Sequence, residues 1–287
     1  MNERAFIDSL KALAQDPAAR GLTDDCAVLE FGGETLVLTH DMMVEGVHTL
    51  PGQDAADIAW KLVTTNLSDL AAKGARPIGV LLGHMLGPDG DRFVAGLTEV
   101  LTRYDVPLLG GDTSSGGPPR AWGLTAIGRA THRPVPSRAG ARPGDGVWVT
   151  GPLGAAMAGY EALRDGAGAD STAFRRPLAC LAEGEALAPL VTAMMDISDG
   201  LLLDASRMAE ASGVTLALVS ADVPIAVPEN RREDALRWGE DYELLFTLPA
   251  DVEPSVSAWR IGEVIERGEM ALLVDREPAQ GPLGYEH

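Results

Sequence analysis

Carboxylates carry most of the chemistry this sequence offers. Asp24-Asp25, Asp41, Asp69, Asp112 in Gly110-Gly111-Asp112-Thr113, Asp196 and Asp199 in Asp196-Ile197-Ser198-Asp199-Gly200, and Glu240-Asp241 occupy short segments at expected strand ends and helix starts. That placement points to a shared site. Two carboxylates about 4 Å apart repel by roughly 4 kcal/mol at an effective dielectric of 20, so several converge only where cations join them or protons neutralise them. Hard oxygen donors of this kind suit Mg²⁺. Singly, each acid has an ordinary explanation: Asp199 or Ser198 as a helix cap, Asp24-Asp25 and Asp112 as turn residues, Asp69 as a solvated helix position. Jointly those explanations weaken.

Other phosphate-handling devices are missing. No Gly-x-x-x-x-Gly-Lys-Ser/Thr loop occurs, Gly151-Pro152-Leu153-Gly154 lacks the lysine, and no strand lysine is followed by His-Arg-Asp. If nucleotide phosphates are handled here, metal ions must supply most of the countercharge. The five histidines form no metal-binding pair at i, i+4. His48, in Glu45-Gly46-Val47-His48, follows the acidic strand end and is the histidine placed near a site. Cys26 and Cys180 make neither a zinc spacing nor a disulfide framework and are expected as reduced thiols.

The elements that must position these groups are mixed α/β. Phe6, Leu10 and Leu13 give helical spacing over 3–14, stopped by Asp16-Pro17. Gly32-Gly33 separates the runs Ala27–Phe31 and Thr35–Asp41 as a hairpin whose second strand ends on a carboxylate. From Asp54 to about Lys73 a helix is expected with Asp54 as N-cap and Gly74 at C′, placing Asn66, Asp69 and Lys73 on one side. Strands follow over Ile78–Leu86 and Ala121–Gly128, with a helix over about 91–104 between them. Thr131–Asp145 holds Pro134, Pro136 and Pro143 with little apolar content, so we set an N-terminal domain at 1–135 and a C-terminal domain at 136–287. In the second half we expect helices over about 154–163, 178–190 and up to Ala211, with strands Val147–Thr150, Val214–Val219 and Glu243–Leu248.

Composition agrees with a folded protein. The chain has 287 residues, 46% hydrophobic and 23% charged, enough for two α/β domains. Its net charge of −19 repels phosphate backbones and acidic membranes, so no nucleic-acid or membrane partner is expected. Acids within the first eight residues interrupt any leader, no apolar run reaches about 18 residues, and the protein is expected in the cytoplasm.

Asp24-Asp25-Cys26-Ala27, the segment from Thr39 to His48, Asn66-Leu67-Ser68-Asp69 through Gly74, Gly110-Gly111-Asp112-Thr113, Met195 to Leu201, and Gly239-Glu240-Asp241-Tyr242-Glu243 through Thr247 resemble, in order, the motif set of the thiamine-monophosphate kinases. A weaker match continues to Tyr285. The resemblance implies the fold of the aminoimidazole-ribonucleotide synthetase superfamily: two α/β domains, with N-terminal strands of two subunits closing a barrel across a homodimer. It implies ATP and several Mg²⁺ ions in the cleft between the domains, and phosphoryl transfer from ATP to thiamine monophosphate. Asp25, Thr39, Asp41, Asp69, Asp112, Asp196 and Asp199 would hold metal. Gly111, Asp112, Ser198 and Arg138 would touch ATP, Arg138 opening an Arg-x-Gly-Ala-x-x-Gly-Asp segment. His48, Glu240 and Tyr285 would face thiamine monophosphate, and no covalent or acid–base residue is expected. The chain departs from the family at His40, where Thr is usual, at Trp238, where Gly is usual, and in a short segment after Leu86. The rival readings are another ATP-using member of the superfamily and a noncatalytic nucleotide-binding regulator.

Overall fold

The computed structural model describes residues 3–166 and 168–285. Helix α1 (Glu3–Leu10) is shorter than its periodicity predicts, and its apolar residues Phe6 and, beyond its end, Leu13 are exposed. The expected hairpin forms from β1 (Ala27–Phe31) and β2 (Glu34–Val44) around Gly32 and Gly33, both at positive φ.

Helix α2 (Ala55–Ala72) is the axle of the molecule. Asp54 accepts from the Ala56 amide at 2.9 Å to open it, and Gly74 follows its end at φ +56°. Every residue of it except Asp69 is buried, which requires packing on all sides. Ile58, Leu62 and Leu67 meet Val37, Val80 and Leu124 of the N-terminal sheet, while Ala71 and Ala72 join Leu187, Met194 and Phe246 of the C-terminal half.

The N-terminal sheet is completed by β3 (Ala75–Met85), β4 (Leu108–Ser114) and β5 (Ala121–Ala130), in the order β1-β2-β5-β3-β4. Helix α3 (Gly90–Tyr104) makes the crossover that lets β3 and β4 run parallel. With β1 and β4 at its edges the sheet is open, and among the described residues no barrel closes. Helices α2 and α3 cover one face; the other presents Met42 and Leu81, both exposed.

The C-terminal half adds β6 (Gly146–Val149), α4 (Ala155–Arg164), α5 (Thr172–Arg175), α6 (Leu181–Leu187), β7 (Ala193–Asp196), α7 (Leu201–Ser212), β8 (Thr215–Leu218), α8 (Arg232–Arg237), β9 (Leu244–Leu248), β10 (Trp259–Ile265), β11 (Leu272–Val274) and β12 (Glu277–Pro278). Its seven strands take the order β12-β11-β8-β10-β6-β9-β7. Helix α6 stops at Leu187, short of the expected 190, because Pro189 cannot continue it. Strand β7 is an addition to the expected set: Ala193-Met194-Met195-Asp196 is buried at every position and too short to show a period.

Candidate metal and phosphate site

Three segments bring the acids together. Strand β2 points Thr39 toward α2, and the Thr39 hydroxyl donates to Asp69. The Asp41 amide donates to Asn66 Oδ1 at 3.1 Å, so α2 clasps the carboxylate-bearing end of β2. Ser68, on the same helix, donates to Asp196 Oδ2 at 2.6 Å and ties the end of β7 to α2. One carboxylate oxygen from each of Asp25, Asp69 and Asp196 lies within 4.8 Å of the other two. Asp69 is therefore a site group, not a solvated helix position.

Three cations already brace this cluster and its neighbour Asp24. Lys73 Nζ lies 2.5 Å from both Asp24 Oδ1 and Asp25 Oδ2, with no exposed surface. Arg138 Nε donates to Asp25 Oδ1 at 2.7 Å, and Arg20 meets Asp24 Oδ2 at 2.5 Å. Burial alone would raise the Asp24 carboxyl, but Lys73 and Arg20 outweigh it and hold it below its ordinary value. The inner acids behave oppositely. Burial, with Asp25 and Asp199 nearby, pushes Asp41 up to about 6. Burial and Asp25 push Asp196 up to about 7 against Ser68 and Arg138. Burial, then Asp41 and Asp196, raises Asp69 well above the carboxylate range. All three carboxyls are shifted upward by burial and by one another's charge, the behaviour expected where a cation belongs.

The loop after β7 is set by α7. Asp204, fully buried in the first turn of α7, accepts from the Ser198 and Asp199 amides at 3.1 and 3.0 Å, and Arg207 pairs with Asp199. Asp199 is thus not the helix cap; its side chain faces Arg207. Close backbone packing surrounds this loop. A Cβ on Gly239 would lie 2.2 Å from Ser198 O, and one on Gly284 2.3 Å from Asp199 O. The Tyr285 amide donates to Asp199 O at 3.0 Å, so the chain end is pinned over the loop while its ring is half exposed.

His48 and Glu240 meet through a third residue. The His48 ring accepts from the Val44 amide at 3.1 Å, its carbonyl accepts from Lys61 Nζ at 3.0 Å, and Lys61 also pairs with Glu240 Oε1 at 2.6 Å. Asp241 turns elsewhere and accepts from the Gly154 and Ala156 amides at the start of α4, a capping role. Gly111 and Asp112 stand on β4, whose residues are all exposed, outside the Asp25–Asp69–Asp196 cluster. At Gly111 a Cβ would fall 1.9 Å from Leu82 O, so only glycine fits there. Sequence reasoning passed over Lys61, Ser68, Asp204 and Arg207. The available signal was a lysine inside the apolar run Ile58–Val63 and an acid five residues after Asp199.

Two stacked α/β units around a buried helix, with carboxylates gathered between them, define the class. The chain matches the N-terminal domain of the AIR synthase related proteins over residues 23–130 and their C-terminal domain over 142–275, and it belongs to that family. Within it, the chain falls among the thiamine-monophosphate kinases. The thiamine-monophosphate kinase of Escherichia coli K12 is 38% identical over 253 residues, covering 80% of this chain and 76% of the relative. That of Aquifex aeolicus is 31% identical, covering 100% of this chain and 98% of the relative. A solved structure described as AaThiL complexed with AMPPCP and TMP superposes with a TM-score of 0.90 at 31% identity, covering 100% of this chain and 97% of that one.

Proposed function

We propose that this protein transfers the γ-phosphate of ATP directly onto the phosphate of thiamine monophosphate, giving thiamine diphosphate and ADP. The carrying observation is the convergent Asp25–Asp69–Asp196 cluster in a chain alike over its whole length to a protein solved with AMPPCP and TMP. One oxygen of the acceptor phosphate forms the new bond to phosphorus as the bond to the ADP oxygen breaks. A phosphate monoester with a second pKa near 6 is already largely ionised at neutral pH, so no general base is required.

The donor set fits Mg²⁺: buried carboxylate oxygens with hydroxyl support from Thr39 and Ser68. Asp25, Thr39, Asp41, Asp69, Asp112, Asp196 and Asp199 are the residues we assign to several such ions, Asp112 standing apart from the cluster on β4. Bound there, the metal would neutralise charge shared by the two phosphates. Ser198, Gly111 and Asp112 are assigned to the nucleotide, and Arg138, already drawn to Asp25, would supply a planar donor for the transferring group. His48, Glu240 and Tyr285 are assigned to the acceptor. We keep the domain division at 135/136, and place the reaction in the cytoplasm, where the free thiols of Cys26 and Cys180 stay reduced. Among the described residues no helix is long and apolar enough to cross a membrane.

The decisive experiment incubates the protein with ATP, Mg²⁺ and thiamine monophosphate and identifies the product by mass. Thiamine diphosphate formation that stops in excess chelator is the expected result; ADP release without it favours another superfamily activity, and neither product favours a regulator.

Two further expectations arise here. The uncovered sheet face with Met42 and Leu81, and the exposed edge strand β4 with Leu108 and Leu109, support a homodimer in which strands of two chains complete a barrel. Sedimentation at micromolar concentration should give twice the chain mass, and a fully active monomer would contradict this. Tyr285 should act through its ring, holding the thiazolium cation for roughly 0.5–2 kcal/mol. Tyr285→Phe should leave KM for thiamine monophosphate unchanged, and Tyr285→Ala should raise it about 2- to 30-fold. A wild-type KM in the alanine variant would remove the ring from the site.

A further inference from the structure

Lys61 is the least expected polar group in the molecule. It lies in the apolar stretch of α2 and is only 1% exposed, where an unpaired ammonium would cost several kcal/mol. Its Nζ has partners from three separate parts of the chain: Glu240 Oε1 at 2.6 Å, the His48 carbonyl at 3.0 Å, and the face of the Phe174 ring, whose centroid is 3.8 Å away.

We propose that Lys61 is a positioning residue for the acceptor end of the site, fixing the Glu240 carboxylate and the His48 turn in the arrangement that receives thiamine monophosphate. The inference rests on the acceptor roles proposed above for Glu240 and His48. Glu240 needs such a hold. Its backbone sits at φ +68° and that of Tyr242 at +53°, left-handed conformations that cost about 1–2 kcal/mol each for residues with a Cβ. Backbone bonds from the Glu240 amide to Ser198 O at 2.8 Å and from the Tyr242 amide to Ile197 O at 3.0 Å fix the main chain. They leave the direction of the carboxylate to its ion pair. Lys61 takes Oε1 at 2.6 Å and so fixes the carboxylate on one side.

Phe174 is itself locked to α2. The chain immediately after it is tied down, with Arg175 and Arg176 each 2.5 Å from the buried Asp57 and the Trp60 indole donating to Pro177 O at 2.9 Å. Tyr160 meets Phe174 edge-on at 5.3 Å and Trp238 at a tilt at 5.1 Å between ring centroids, which extends this aromatic wall to within two residues of Glu240. The departure from glycine at Trp238 thus packs onto the same wall that seats Lys61. The ring face adds an attraction for the ammonium that strengthens as water is excluded.

The test is steady-state kinetics on the full chain with ATP, Mg²⁺ and thiamine monophosphate. Lys61→Met should raise KM for thiamine monophosphate about tenfold or more, while KM for ATP stays within about twofold and kcat falls less than KM rises. Added to Glu240→Gln, the same change should raise KM by less than about threefold, because the group it positions is already altered. Lys61→Met with an unchanged KM for thiamine monophosphate, or effects that multiply in the double variant, would overturn the proposal. Phe174→Leu keeps an apolar side chain but removes the ring, and covers the case in which Lys61→Met does not fold. It should raise KM for thiamine monophosphate about 2- to 5-fold without moving that for ATP, and an unmoved KM overturns the proposal as well. A Glu240→Gln enzyme with wild-type KM would instead overturn the acceptor role of Glu240, and a wild-type protein that makes no thiamine diphosphate would overturn the activity itself.

Discussion

Asp41→Asn should lower kcat by about 10²- to 10³-fold while leaving the metal-free protein at least as stable as wild type. The two effects follow from one fact. Asp41 is pushed up to about 6 because burial, Asp25 and Asp199 all disfavour its charge. Asparagine keeps the shape and the Asp41 backbone bond to Asn66, and removes a charge that the empty site does not want. What it also removes is an anionic ligand oxygen, and with it part of the field that holds cations against two phosphates. Asp24→Asn should do the reverse. Asp24 is an anchor, with Lys73 and Arg20 both 2.5 Å away, and its loss leaves the wholly buried Lys73 with Asp25 as its one carboxylate beside a long bond to Met194 O. Breaking a buried pair typically costs about 3–5 kcal/mol, which at about 2–4 °C per kcal/mol lowers Tm by roughly 6 °C or more. Paired melting curves in chelator and kcat measurements at saturating substrates and Mg²⁺ separate the two variants. Near-normal turnover in Asp41→Asn would remove Asp41 from the metal site.

Much of this division was legible before the fold was known, and its limits have physical causes. Helix α2 announced itself through period, cap and C′ glycine, and its face bearing Asn66, Asp69 and Lys73 is the face that meets the site. The hairpin β1–β2 was equally plain, since Gly32-Gly33 fixes the turn. The convergence argument for the acids held for Asp25, Asp69 and Asp196. It could not sort Asp24 from Asp25 or Glu240 from Asp241, because neighbours in sequence face different partners: Asp24 meets Arg20, and Asp241 caps α4. Charge balance was hidden for a related reason. Lys61 and Asp204 act across distances that only packing sets, and a buried lysine in an apolar run carries no period of its own. Strand β10 escaped notice because the register shifts between Arg260 and Gly262, breaking the alternation that marks a strand. Gly262 permits that shift, since a Cβ there would lie 2.2 Å from Ala217 O. The sheet face bearing Met42 and Leu81 is legible as exposed apolar surface only once the strands are paired.

Without metal, the protein should melt at a higher temperature at pH 5.5 than at pH 8, and Mg²⁺ should abolish or invert that order. An aspartate in the unfolded chain titrates near 3.8, whereas Asp41 and Asp196 in the folded protein sit at about 6 and about 7. Between those values the folded state binds more protons than the unfolded one, so stability falls as pH rises through the window. A shift of about 2 pKa units in one group corresponds to roughly 3 kcal/mol. The acids share one another's protons, so the cluster as a whole should move Tm by about 5 °C or more between the two pH values. Asp24 does not mask this. Its carboxyl is held below its ordinary value, so its contribution is lost only as the pH falls below 3.8. Mg²⁺ competes with the protons for the same oxygens, so its binding strengthens as they leave. At about 100 times its dissociation constant it adds roughly 3 kcal/mol, most of it at pH 8. Melting curves at both pH values, with chelator and with Mg²⁺, give the four numbers needed. Asp41→Asn supplies an internal control, because it should make the chelator slope shallower by the share of Asp41 alone, while Asp196 at about 7 and, outside the cluster, Asp204 at about 8 and Asp241 at about 7 keep the remainder. If Tm in chelator rises steadily from pH 5.5 to 8 in the wild-type protein, the inner acids are not protonated in the empty site, and the argument that their strain is relieved by metal fails with it.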